Sequence, residues 1–175
     1  ADVHEYDPAA ARPLMEALSQ HPGLVFEGHS TDYQTREALH AMARDGVVIQ
    51  KVGPALTFAL REGLYALAQI EELLAEEGEE TSHFLQVLDQ AMLERPKYWQ
   101  PYYHGTAKAQ ARERVFGLSD RCRYYLSDPN VHAALQLLVK NLARKEMSYP
   151  LLSQFLPVQY EKVRTGKLAN DPEAL

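Results

Sequence analysis

Three side chains with proton-transfer or charge chemistry stand at the ends of two short apolar runs. Glu27 and His29 close the run 24–28, and Lys51 closes the run 47–52. On an extended chain successive side chains alternate, so Glu27 and His29 share one face with Val25. Lys51 shares a face with Val47, Ile49 and Gly53 by the same parity. If the two runs are neighbouring strands, a carboxylate, an imidazole and an ammonium group converge. That set suits acid–base work or the holding of an anion. Ser30, Thr31 and Asp32 follow the first run directly, and Gly53-Pro54 opens a helix after the second.

Each residue also has a plainer role. His29 is equally well read as a loop histidine bonded to backbone. Glu27 in a buried strand needs a cation or a site, because an unpaired buried carboxylate is costly. Lys51 is either that cation or a phosphate ligand. Asp32 and Thr35 suit helix capping.

The elements that must position these groups follow from local pattern. Asp7-Pro8 reads as N-cap and first residue of a helix over 9–20, stopped by Pro22-Gly23, after a loop or strand remnant over 1–7. The runs 24–28 and 47–52 read as buried strands. Between them lies a helix carrying Ala38, Leu39 and Met42 inward and ending at Asp45-Gly46. Leu56, Leu60, Leu64, Leu67, Ile70 and Leu74 form an apolar stripe of helical period. From residue 79 the chain reads as all-helical. A cap at Thr81 or Ser82 opens one helix, and others span 106–116, 128–144, 150–156 and 158–164. Asp171-Pro172 reads as one more helix start. The aromatic segment 97–105 holds Tyr98, Trp99, Tyr102 and Tyr103, a surface for sugar stacking or for packing.

Strand–helix–strand–helix order with short links predicts parallel strands, and ligands in such folds bind at the strands' C-terminal ends. Two strands cannot make a parallel sheet alone. The chain also opens on ADVHEYDPAAARPL, so the expectation is the C-terminal part of a larger α/β protein. The units expected are 1–78, holding the strand–helix repeats, and 79–175, a helical extension.

Composition narrows the function. The 175 residues carry 18 basic and 24 acidic side chains, a net charge of −6. Such a chain is poorly suited to phosphate backbones, so nucleic acid is not an expected partner. The apolar runs are too short to span a bilayer, so no membrane is expected either. One cysteine, Cys122, excludes an internal disulfide, and a reducing cytoplasm is the expected location. Thr165-Gly166-Lys167 is not a nucleotide-binding loop, because Glu161 stands in the place of its leading glycine and Leu168 follows the lysine.

The segments VFEGHSTDYQT (25–35) and KVGPALTFALREGLYALAQIE (51–71) resemble the non-catalytic, Z-type subunits of class II D-tagatose-1,6-bisphosphate aldolase. RCRYYLSDPNV, LLSQFLP and QYEKVRTGKL look like that family's C-terminal part. The resemblance implies an α/β fold, the C-terminal portion of a TIM-type (β/α)8 barrel with additional C-terminal helices. It implies an oligomeric auxiliary subunit that supports a catalytic aldolase partner in galactitol or amino-galactose breakdown. Proteins similar to the family have also been proposed as metal-dependent 4-epimerases of ketohexose 6-phosphates, with Glu27 and His29 as the acid–base pair. Others carry a tagatose 6-phosphate kinase label.

The same stretch is faintly similar to the last two units of the class II aldolases themselves. That likeness puts His29 in the place of a ligand to a divalent metal such as zinc. It puts Ser30, Thr31, Asp32, Lys51 and Gly53 around a sugar phosphate. The glycine pair of those enzymes is missing, and Gly53 replaces their asparagine.

Overall fold

Asp7 accepts a hydrogen bond from the Ala9 amide at 2.8 Å, and this cap with Pro8 starts helix α1 (Pro8–Ser19). The computed structural model describes residues 3–175. The remnant expected over 1–7 therefore falls partly outside the described residues. Residues 3–7 form no strand, and Gln34 fixes them instead, accepting from the Tyr6 amide at 2.9 Å and donating to the His4 carbonyl at 2.7 Å. Strand β1 (Phe26–Gly28) pairs in parallel with β2 (Val47–Gln50), and α2 (Arg36–Arg44) lies between them in sequence. Thr35 caps α2 by accepting from the Ala38 amide at 3.1 Å. Gly46 reverses the chain into β2 at φ +100°, a region that costs other residues strain.

The register sets Glu27 opposite Ile49 and Gly28 opposite Gln50, with an irregularity between Phe26 and Glu27. Beyond the strands the pairing continues through the Lys51 amide to the Gly28 carbonyl, 2.9 Å, and the Thr31 amide to the Lys51 carbonyl, 3.2 Å. Glycine is needed at position 28 for space. A Cβ there would lie 2.9 Å from Val47 and 3.1 Å from the Met42 methyl. The strands are shorter than their apolar runs and are not buried as expected. Leu24, Val25, Val48 and Ile49 are exposed, because a sheet of two strands offers each only one neighbour.

The chain forms two compact units, Ala1–Leu56 and Thr57–Leu175. In the second, α3 (Ala55–Leu74) contributes Leu64, Leu67 and Ile70 to a core shared with α4 (Phe84–Glu94), α6 (Pro129–Leu142) and α7 (Tyr149–Phe155). The expected stripe on α3 holds from Leu64 to Leu74 and fails at its N-terminal end. Leu56 is 74% exposed and Leu60 is exposed too, whereas Arg61 and Glu71 are buried. Helix α5 (Ala107–Phe116) is tied to α4 by the two-pronged Arg114–Asp89 pair at 2.6 and 3.1 Å. The chain closes with α8 (Pro157–Arg164). Asp171-Pro172 makes a capped turn rather than a helix, with the Leu175 amide on the Asp171 carbonyl at 3.0 Å.

The α4 cap differs in detail from expectation. Ser82 accepts from the Phe84 amide at 3.3 Å, but His83 takes the cap position in a left-handed conformation, φ +46°. Ser82 is itself held by the Glu71 carboxylate. Glu71 accepts from the Ser82 amide and hydroxyl and from the Asn141 amide group at 2.7 Å. One buried carboxylate thus joins α3, the segment before α4, and α6.

Candidate functional site

Strand alternation and register bring three of the sequence-derived residues together. The Glu27 carboxylate lies 2.7 Å from His29 Nε2 and 3.1 Å from Lys51 Nζ. Glu27 and His29 meet because they are two apart on one extended segment. Lys51 reaches them because Glu27 pairs with Ile49, two residues before it. His29 and Lys51 are more than half in solvent, and the Glu27 side chain is 42% exposed. The hydrogen bond from Lys51 chiefly, with the Lys51 charge and His29 beside it, holds the Glu27 carboxyl below the usual carboxylate range against the opposing effect of burial. The trio is an ion-paired acid–base set open to water.

The loop after β1 is ordered by a second carboxylate. Thr31 and Asp32 are buried, and Ser30 and Tyr33 on either side adopt left-handed conformations, φ +55° and +65°. Non-glycine residues pay about 1 kcal/mol or more for such conformations, so the surroundings must impose them. Thr31 donates its hydroxyl to the Lys51 carbonyl at 3.0 Å. Asp32 turns across the sheet end and accepts from the Gly53 amide at 2.7 and 2.9 Å and from the Ala55 amide at 3.3 Å. These amides open α3, a place where a helix start offers a positive field to an anion. The chain fills that place with its own carboxylate. The capping role considered for Asp32 therefore applies to α3, and Thr35 serves α2.

Ser30 and Gly53 flank the trio in sequence, Gly53 giving its amide to Asp32. Among the described residues, no three His, Cys, Asp or Glu side chains are grouped to hold a metal ion. His29 and Glu27 are two donors whose shared carboxylate also faces an ammonium. These residues by themselves do not complete a metal site.

Two buried features escaped the sequence reading. Arg61 and Asp120 pair at 3.2 Å with side chains 2% and 0% exposed. Arg61 also donates to the Gly117 carbonyl at 3.3 Å, and the Cys122 thiol donates to Asp120 at 3.1 Å. Burial first, and the Asp120 charge second, push the Cys122 thiol far up, away from a reactive thiolate. The other missed group is Glu71. Arg61 and Glu71 fall on the same helical face as Leu64 and Ala68, and a charge on an otherwise apolar face was the available signal. The aromatic segment packs in part: Trp99 and Tyr103 are buried, and Trp99 donates to the Met92 carbonyl at 2.7 Å.

Comparison with known proteins places the whole chain. The family model described as D-tagatose-1,6-bisphosphate aldolase subunit GatZ/KbaZ-like matches residues 1–175. The chain belongs to the GatZ/KbaZ-like family. A solved structure described as a probable tagatose 6 phosphate kinase from Sinorhizobium meliloti 1021 is 44% identical to it, with a TM-score of 0.91. That match covers 98% of this chain and 44% of the solved one, so this GatZ/KbaZ-like chain spans less than half of its relative's length. Among the described residues, no helix is long and apolar enough to cross a membrane.

Proposed function

We propose that this chain is the C-terminal portion of a TIM-type barrel with added helices, within an auxiliary subunit that sustains a separate class II tagatose-bisphosphate aldolase. The family match over residues 1–175 carries the reading. The exposed apolar residues of a two-stranded parallel sheet support the barrel, since parallel strands are normally covered on both faces. The polar strand ends support the auxiliary role. Asp32 fills the amides at the start of α3, and Glu27 is satisfied by His29 and Lys51. A supporting subunit needs rigid, self-satisfied strand ends rather than open ligand positions. The partner in this reading is the catalytic aldolase subunit, in the cytoplasm, and the small molecule handled by the pair is a sugar phosphate. The test is co-expression with the catalytic subunit. The two proteins should co-purify, and the aldolase should lose activity faster alone. Separate elution and equal decay rates would remove the proposal.

A second reading rests on the 2.7 Å Glu27–His29 contact in a water-exposed setting. An imidazole and a carboxylate so placed are able to pass a proton to a bound sugar phosphate. On this reading the longer protein interconverts ketohexose 6-phosphates at C4. Conversion of fructose 6-phosphate to tagatose 6-phosphate, with divalent metal supplied, tests it. A His29→Ala variant should abolish conversion, and undiminished conversion would exclude the role of this pair. The kinase description of the solved relative has no counterpart in a nucleotide-binding motif here, and phosphorylation of tagatose 6-phosphate by ATP would reinstate it.

A further inference from the structure

The second unit carries a contiguous surface of tyrosine rings and cations that the reading above does not use. Tyr98 and Tyr124 stack with ring centres 5.0 Å apart. Lys97 lies over Tyr98 at 4.5 Å, Arg123 over Tyr124 at 4.8 Å, and Arg121 over Tyr102 at 3.4 Å. Arg123 donates to the Tyr124 hydroxyl at 3.0 Å. Tyr102 is 54% and Tyr124 42% exposed.

None of the three cations has a carboxylate within 4.0 Å among the described residues, in contrast to their neighbour Arg95, which pairs with Asp128. Nε of Arg121 is buried without a hydrogen-bond partner. The fixed hydrogen bonds and ring contacts spend little of the charge. Stacking on rings also pre-orders the long side chains, so less entropy is lost when an anion arrives. A net charge of −6 over the whole chain makes this local concentration of positive charge exceptional.

We infer that Lys97, Arg121 and Arg123, seated on Tyr98, Tyr102 and Tyr124, form a docking surface for an acidic protein segment. Charge complementarity selects the partner. Tyrosine and arginine together are the residues that dominate binding energy at protein interfaces. The acidic chain as a whole disfavours a nucleic-acid backbone.

A fluorescein-labelled oligoglutamate peptide is the probe, followed by fluorescence anisotropy with the purified protein at low salt. Saturable binding is expected, weakening as salt rises. A Lys97→Glu/Arg123→Glu variant should lose it by about tenfold or more. A Lys162→Glu/Lys167→Glu variant of equal net charge should bind like wild type. Tyr102→Leu, which keeps every charge, should weaken binding by a smaller factor, and it serves if the double variant fails to fold. The inference is overturned if wild type does not bind, or if both charge-reversed variants lose binding alike. It is equally overturned if single-stranded DNA binds as tightly as the peptide, or if the surface is found covered by a second copy of this chain.

Discussion

At the scale of single residues, the Glu27 contacts make a pH prediction with a definite sign. A carboxyl whose folded value is lowered adds stability above its unfolded value, about 4.3 for glutamate, and that contribution is lost as pH falls through the lowered folded value. Carbon-detected titration of Glu27 should therefore show a midpoint below the usual range, and Lys51→Met should move it upward. An unchanged midpoint in Lys51→Met would show that the 3.1 Å contact does not form in solution. Asp32 yields a stability prediction. Asp32→Ala removes the acceptor of the Gly53 and Ala55 amides and should cost about 1.5–3 kcal/mol, the range for hydrogen bonds to a charged group. Inorganic phosphate should restore part of the loss in this variant and leave wild type unaffected, as read by thermal melting. Ser30→Gly, at φ +55°, should be neutral or stabilising by up to about 1 kcal/mol. The Glu27–His29–Lys51 convergence was legible in the sequence, because alternation and parity depend only on residue spacing. The destination of Asp32 was not, since nothing local distinguishes a carboxylate that caps the helix following it from one that reaches across to the next.

At the scale of elements, buried charge joins helices alongside the apolar core. Arg61 on α3 reaches Asp120 and the Gly117 carbonyl, so Arg61→Met should cost about 3–5 kcal/mol by leaving an uncompensated buried carboxylate. Adding Asp120→Asn should recover a part of it, which denaturant titration of both variants would measure. A double variant that loses the sum of the Arg61→Met and Asp120→Asn losses would mean that the pair is not coupled. The helices opened by Asp7, Thr35, Thr106 and Asp128 were readable from their caps, which are short-range signals. The exposure of Leu56 and Leu60 was not readable. Helical period fixes which residues share a face, but tertiary context decides how far along a helix that face is covered. The turn at Asp171 shows the same limit from the other side: a capping signal marks where a helix can start but does not supply the packing that propagates it.

At the scale of the molecule, the parallel pairing of β1 and β2 and the helical course of the chain from residue 79 were legible, because the pattern of strands and helices restricts topology. Burial of the strands was not legible, because it depends on neighbours that two strands cannot supply. The change of composition at residue 79 and the compact units divided after Leu56 describe different things, the first the end of the strand–helix pattern and the second the reach of α3 into the helical core. The central claim is that a GatZ/KbaZ-like protein carrying this chain sustains an aldolase rather than performing the cleavage. The most direct measurement is the rate at which a purified catalytic tagatose-bisphosphate aldolase subunit loses activity as the full-length protein is titrated in. The account predicts that the loss slows and that the effect saturates at a fixed ratio of the two proteins. An unchanged rate of loss at every ratio, with no complex formed, would contradict it.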